Sequence, residues 1–265
     1  MRLVLSRKGF DSTAGGCASP ILPDGTMVSL PIPDEQSGIR YGDVGAHGHD
    51  VGALVADLTG RAYTRRSRAH LDPDLVAGAF PRMPGWRPLF GQAGGEQTVL
   101  SRAGVGRGDL FLFFGWFRRV ERVRRRWRFV AAAPDEHVIW GWLRVDEVID
   151  AAGTPPTWAA YHPHVTAGRR WSNNTLYAAD DAGTFTHHDD RLRLTRPGAS
   201  RSRWSLPAWF APGRGRPPLG YHHAPSRWRR AGDRVHLQSV ARGQEFVLDT
   251  AHYPEADAWI RSLLG

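Results

Sequence analysis

Three things are scarce in this chain of 265 residues. Cysteine occurs once, as Cys17, which excludes a disulfide framework and a cysteine-based zinc site. Lysine occurs once, as Lys8, against 34 arginines, and asparagine twice, as Asn173 and Asn174. Long apolar runs are missing: none approaches the roughly 20 residues that cross a bilayer, so no membrane association is expected. The opening Met-Arg-Leu-Val-Leu-Ser-Arg-Lys has too short an apolar core for a signal peptide. The expected location is the cytoplasm.

The shortage of Lys and Asn reads as a mutational bias that inflates Arg throughout. The formal charge of +9 is therefore discounted in part as a sign of nucleic-acid binding. The same bias draws attention to Lys8. An ammonium can give up its proton or act as a point charge on phosphate, and a guanidinium cannot do the first.

What is abundant is Gly (30), Pro (19) and Trp (11). Many turns and many aromatics predict an α+β, β-rich single domain, built on a central antiparallel sheet or barrel with a few short helices. The centre is Leu110 to Phe117, released by Gly106-Arg-Gly-Asp109 and apolar except for Gly115. Without polar alternation both faces must be buried, as in a central strand. His137 to Val148 matches it, and Arg118 to Arg128, with seven arginines, is expected as the solvated tip of the hairpin between them. Strands are also expected at Leu3–Ser6, Leu176–Ala179 and Phe185–Leu194, and as a final pair at Val235–Val240 and Glu245–Leu248. Helices are expected at Val51–Leu58, Gln92–Arg102 and Pro254–Leu264. The stretch 196–234 mixes Arg with Trp204, Trp209 and Trp228, which suits either base stacking or irregular chain packed on the core.

Polar clusters in loops carry the candidate chemistry. Arg7, Lys8, Asp11 and Ser12 follow the first strand and precede glycines. Lys8 and Asp11 are the candidate catalytic pair, with Arg7 at the substrate; the plain alternative is a charged turn with Lys8 paired to Asp11. Asp34, Glu35, Arg40 and Tyr41 could form a site wall, Arg40 and Tyr41 on the substrate. His47 and His49 sit in a Gly-rich turn and are expected in solvent. His70-Leu-Asp72 puts an imidazole and a carboxylate on the same side of an extended segment, as a metal pair requires; the alternative is an Asp72-Pro73 turn opening a helix. His162 and His164 follow, then Arg170, Ser172 and Asn173 as further substrate-side candidates. The order His-x-Asp, distal His, Arg-x-Ser is that of non-haem Fe(II) oxygenases using 2-oxoglutarate, in which Arg grips the cosubstrate carboxylate. The spacing from histidine to Arg170 is short for that pattern.

Ser6-Arg-Lys-Gly-Phe-Asp-Ser12, Pro20-Ile-Leu-Pro-Asp-Gly25, Ser29-Leu-Pro-Ile-Pro33, His70-Leu-Asp-Pro-Asp74 and Gly108-Asp-Leu-Phe-Leu-Phe-Phe-Gly115 together resemble the third of the nucleotide-modification-associated domain families. The resemblance spans most of the chain and implies a nucleotide or nucleic-acid partner and a role in base modification. It supplies no residue roles. A fainter likeness, over about forty residues, links the two central runs to PUA-like barrels, some of which bind modified bases. Two functions follow. One is an enzyme on nucleotides or bases, with Fe(II) and 2-oxoglutarate as cofactors and His70, Asp72 and His162 or His164 as ligands. The other is a non-catalytic reader, needing a barrel, an aromatic cage and a basic rim.

Overall fold

The computed structural model describes residues 1–166 and 171–265. Strands β1 (Arg2–Arg7) and β2 (Ser19–Ile21) lead into a long connection holding β3 (Gly45–Ala46), β4 (His49–Asp50) and helix α1 (Val51–Leu58). Then come β5 (Leu89–Gln92), α2 (Gly94–Arg102), β6 (Leu110–Val123), β7 (Arg126–Phe129), β8 (Glu136–Arg144) and β9 (Glu147–Asp150). The last third holds α3 (Pro163–Thr166), β10 (Thr175–Ala178), β11 (Ala182–Thr184), β12 (Arg203–Pro207), β13 (Trp228–Ala231), β14 (Arg234–Gln238), β15 (Glu245–Asp249) and α4 (Ala256–Leu264). The fold is α+β and β-rich, as the composition predicts.

β6 is the spine. In the main sheet, ordered β11-β8-β6-β1-β15, its first half lies between β8 and β1, and its second half between β7 and β2. Phe111, Phe113, Trp140 and Leu143 are buried in one core. The sheet is mixed, however: β6 is antiparallel to β8 but parallel to β1 and β2. It does not close into a barrel, so the PUA-like form expected of a reader is not adopted. The arginine-rich excursion is ordered sheet. β6 runs on to Val123, turns at Arg124-Arg125 and returns as β7. Both turn residues have positive φ (48° and 67°), the twist a two-residue hairpin requires.

The parallel pairing of β1 with β6 forces a long crossover, since parallel neighbours cannot be joined by a tight turn. This crossover forms a second core from Phe10, Leu30, Tyr41, α1 and their neighbours. α1 starts where Asp50 accepts the Ala53 N–H at 3.1 Å, an N-cap. The crossover then lays residues 72–74 along β5: Asp74 and Leu89 exchange backbone hydrogen bonds of 2.8 and 2.9 Å. β5 belongs to a small sheet, β5-β10-β9, which supports the candidate site.

Some elements differ from expectation. Gln92 ends β5, and α2 begins only at Gly94. The expected pair near the C-terminus does not exist: β15 pairs with β1, whereas β14 lies between β12 and β13. The Arg/Trp-rich stretch supplies that second three-stranded sheet. Its Trp204 is fully buried and donates to His137 Nδ1 at 3.0 Å, so it packs the core and is closed to bases. Residues 185–194 run beside β8 through isolated hydrogen bonds, Phe185 N–H to Trp140 O and Ile139 N–H to Leu192 O. Among the described residues, no helix is long and apolar enough to cross a membrane.

Candidate metal centre

The residues His70, Asp72 and His164 each offer one ligand atom, and these atoms lie within 4.8 Å of one another. Asp72 is held from below by β5: the Gly91 N–H donates to its Oδ1 at 2.7 Å. No helix opens at Asp72-Pro73: the chain bends there through a cis peptide bond and pairs with β5 at Asp74. His162 immediately precedes α3 and His164 lies within it, where Val165 N–H closes onto His162 O at 2.8 Å. The His164 ring stands directly over Gly91. A Cβ there would meet His164 Cδ2 at 2.4 Å and Cγ at 2.5 Å, so glycine is what admits the ring.

Hydrogen bonds assign the tautomers, and these sort the three histidines into two roles. His70 Nδ1 lies 2.8 Å from the Asp34 carboxylate, which can only accept, so Nδ1 carries the proton and Nε2 keeps its lone pair. His164 Nδ1 lies 2.6 Å from Asn174 Oδ1, while the Asn174 amide donates to His164 O at 2.6 Å. That orients the amide and likewise leaves the His164 Nε2 lone pair free. His162 is the reverse. Its Nδ1 accepts the His164 N–H at 3.3 Å, so its proton is on Nε2, 3.3 Å from Asp72 Oδ1. Asp72 Oδ1 is thus fixed by Gly91 and faced by His162, while Oδ2 faces His164 Nε2 at 3.7 Å and His70 Nε2 at 3.9 Å. Atoms sharing an ion at about 2.1 Å stand about 3–4 Å apart.

The electrostatics agree with that division. Burial alone would push the Asp72 carboxyl up, but its contacts with His162, His164 and His70 outweigh this and hold it well below the usual carboxylate range. Burial pulls His164 down to about 4, only partly opposed by Asp72. The hydrogen bond from His70 keeps Asp34 ionised below its ordinary range despite partial burial. An anionic carboxylate and neutral imidazoles are the forms that bind a metal. The donor set also fits one: the Nε2 lone pairs of His70 and His164 and a carboxylate oxygen of Asp72 converge.

The other candidates fall elsewhere. Lys8 does not pair with Asp11. Its Nζ lies 3.0 Å from Glu245 Oε1 and 4.6 Å from the centre of the Phe90 ring. The cause is register: β15 sets the fully buried Glu245 opposite Ser6, and a buried carboxylate needs a counter-charge. Asp11 instead caps its own turn, accepting the Thr13 and Ala14 N–H groups at 2.7 Å each. Arg7 is spent on the carbonyls of Ala241 and Val240. Tyr41 is core, its hydroxyl donating to Pro31 O at 2.9 Å, and Arg40 is exposed beside it. Asn173 pins the start of α2 through Gly94 N and O at 2.9 and 2.7 Å. Ser172 is exposed, and Arg170 lies outside the described residues. His47, in the turn between β3 and β4, and His49, on β4, were expected in solvent and are partly buried. Asn174 and Gly91 were not singled out from the sequence. The rarity of asparagine, which drew attention to Lys8 by analogy, was the available signal for Asn174.

Comparison with known families bears on what this cluster serves. The family model described as nucleotide modification associated domain 3 matches residues 2–249. The chain belongs to that family. Membership associates it with nucleotide modification, and the matched span takes in all the residues of the cluster. No curated protein and no solved structure matches the chain at a significant level.

Proposed function

We propose that this member of the nucleotide modification associated domain 3 family is a metal-dependent enzyme acting on nucleotides or nucleic-acid bases, with His70, Asp72 and His164 as the ligands. The observation that carries the reading is the pair of outward hydrogen bonds, His70 to Asp34 and His164 to Asn174. Metal-binding histidines donate their second N–H in this way, which fixes the tautomer and raises ligand basicity. Two imidazoles and one carboxylate on one face suit Fe(II) and leave coordination positions open. When bound, iron supplies oxidative chemistry, with 2-oxoglutarate as the cosubstrate and Arg170 as the residue proposed to grip its carboxylate.

The chain's own residues then have distinct tasks. Asp34 and Asn174 orient the two ligand rings, Gly91 fixes the carboxylate that His162 faces, and Gly91 leaves space for His164. Lys8, locked against Glu245, is proposed as a positioning residue and takes no proton from substrate. The test is succinate formation from 2-oxoglutarate with Fe(II), oxygen and a nucleotide or DNA substrate. Turnover that needs iron and substrate and disappears in Asp72→Ala supports the reading; turnover unchanged in that variant, or none with any substrate in an iron-loaded protein, refutes it.

A further inference from the structure

Beside the cluster lies a pocket whose wall includes Asp72 itself. It opens between the main sheet, the β3–β4 hairpin and the 71–76 segment, and its surface is chiefly apolar: Met27, Val44, Leu71, Leu75 and Trp140. Trp140 is 7% exposed, and its Nε1–H is buried with no hydrogen-bond partner. A buried donor left unpaired is unfavourable, and an apolar pocket with few polar groups is the usual form of a ligand site.

Charge and size narrow the occupant. Among the described residues no Arg or Lys lines the pocket, and its two acids are already engaged, Asp74 by Arg82 and Asp72 by its histidines. A phosphate or a dicarboxylate therefore finds no counter-charge there, and only the neutral part of a nucleotide suits the interior. The cavity measures about 70 Å³, room for about five waters at 10–15 Å³ each. That is the scale of one planar ring, with sugar and phosphate left outside.

We propose that this pocket seats a pyrimidine base between its apolar walls, Trp140 Nε1–H donating to a ring nitrogen or carbonyl of the base, beside Asp72. This deepens the metal-enzyme reading and rests on it for the purpose of the pocket, but base binding itself does not require the ion. The base could come from a free nucleotide or be extruded from a strand; both present the same ring.

Equilibrium dialysis tests this with dCMP, dTMP, dAMP and dGMP, and with single-stranded and duplex oligonucleotides. The pyrimidine mononucleotides or pyrimidine single strands should bind, and which of the two does so identifies the source. Trp140→Phe, which keeps a ring and loses the donor, should weaken binding about 5–10-fold. Ala46→Leu fills the rim from a half-buried position and should weaken it at least about 10-fold, with iron content unchanged. Purines binding as tightly as pyrimidines, Ala46→Leu binding like wild type, or no binding by any probe would overturn the proposal. Base binding intact in a chain that holds no iron would sink the metal reading alone; iron bound without base binding would sink the pocket alone.

Discussion

Replacing Gly91 by alanine perturbs the candidate centre at one atom and leaves every proposed ligand in place. Gly91 lies in β5 without positive φ, so alanine is allowed by the backbone. The added methyl would sit 2.4 Å from His164 Cδ2, against a normal carbon contact of about 3.5 Å or more. The ring must retreat by about 1 Å. It cannot do so freely, because Asn174 holds Nδ1 at 2.6 Å, so either that bond or the approach of Nε2 to Asp72 is lost. Disturbing such supporting contacts typically lowers metal affinity about 10–100-fold. The overpacking itself should destabilise the chain by about 1–3 kcal/mol. Gly95→Ala is the control: nothing lies within 4 Å of its Cβ, and in α2 it should be neutral or stabilise by up to about 1 kcal/mol. Iron affinity by anaerobic titration and stability by urea unfolding read both effects. Wild-type iron affinity in a folded Gly91→Ala protein would refute the reasoning, since His164 would then not need its place over Gly91.

Further outcomes are expected. Phe113→Ala, at a fully buried site in the main core, should lower stability by about 3–5 kcal/mol; a loss under about 1 kcal/mol in urea unfolding would mean that β6 is not central. Arg122, Arg124, Arg125 and Arg126 are all exposed on the β6–β7 hairpin. Changing them to Ser should weaken DNA or RNA binding and flatten its salt dependence, and an unmoved salt slope would assign the charge to composition alone. His222 is fully buried and held down to about 4 by burial, so the unfolded chain binds its proton first. The folded state is then fully favoured above about pH 6.5 and loses roughly 2 kcal/mol from this residue by pH 5. Urea unfolding at pH 7 and pH 5 should show that loss in the wild type and a smaller one in His222→Asn; equal losses would contradict it.

The parts of the fold legible in the sequence are those with unbroken patterns. Leu110 to Phe117 has no polar alternation, and it is the strand around which both sides of the main sheet assemble. Val51–Leu58 reads as a helix and is one, with Asp50 capping it. Strand partners were not legible, because the pairing of Glu245 with Ser6 depends on residues 239 positions apart. That pairing decides the partner of Lys8, and it is why Asp11 was the wrong guess. In the candidate site, His70-x-Asp72 carried its own signal, although a tight turn, with the Asp72 N–H bonded to His70 O at 2.8 Å, brings the two together rather than an extended chain. The choice between His162 and His164 did not. It turns on which Nδ1 donates outward, and this is set by Asn174 and by the His164 backbone N–H. Gly91 was hidden for a related reason: a glycine in a short strand signals close approach without naming what approaches.

Anaerobic Fe(II) titration of the wild-type chain beside Asp72→Asn tests the central claim most directly. The substitution keeps the side chain's size and removes only the charge on which His70, His162 and His164 converge. The account predicts one iron per wild-type chain, with affinity reduced at least about 100-fold in the variant while the fold persists. A folded wild-type chain that takes up no stoichiometric iron, or an Asp72→Asn chain that binds it equally well, would contradict the account.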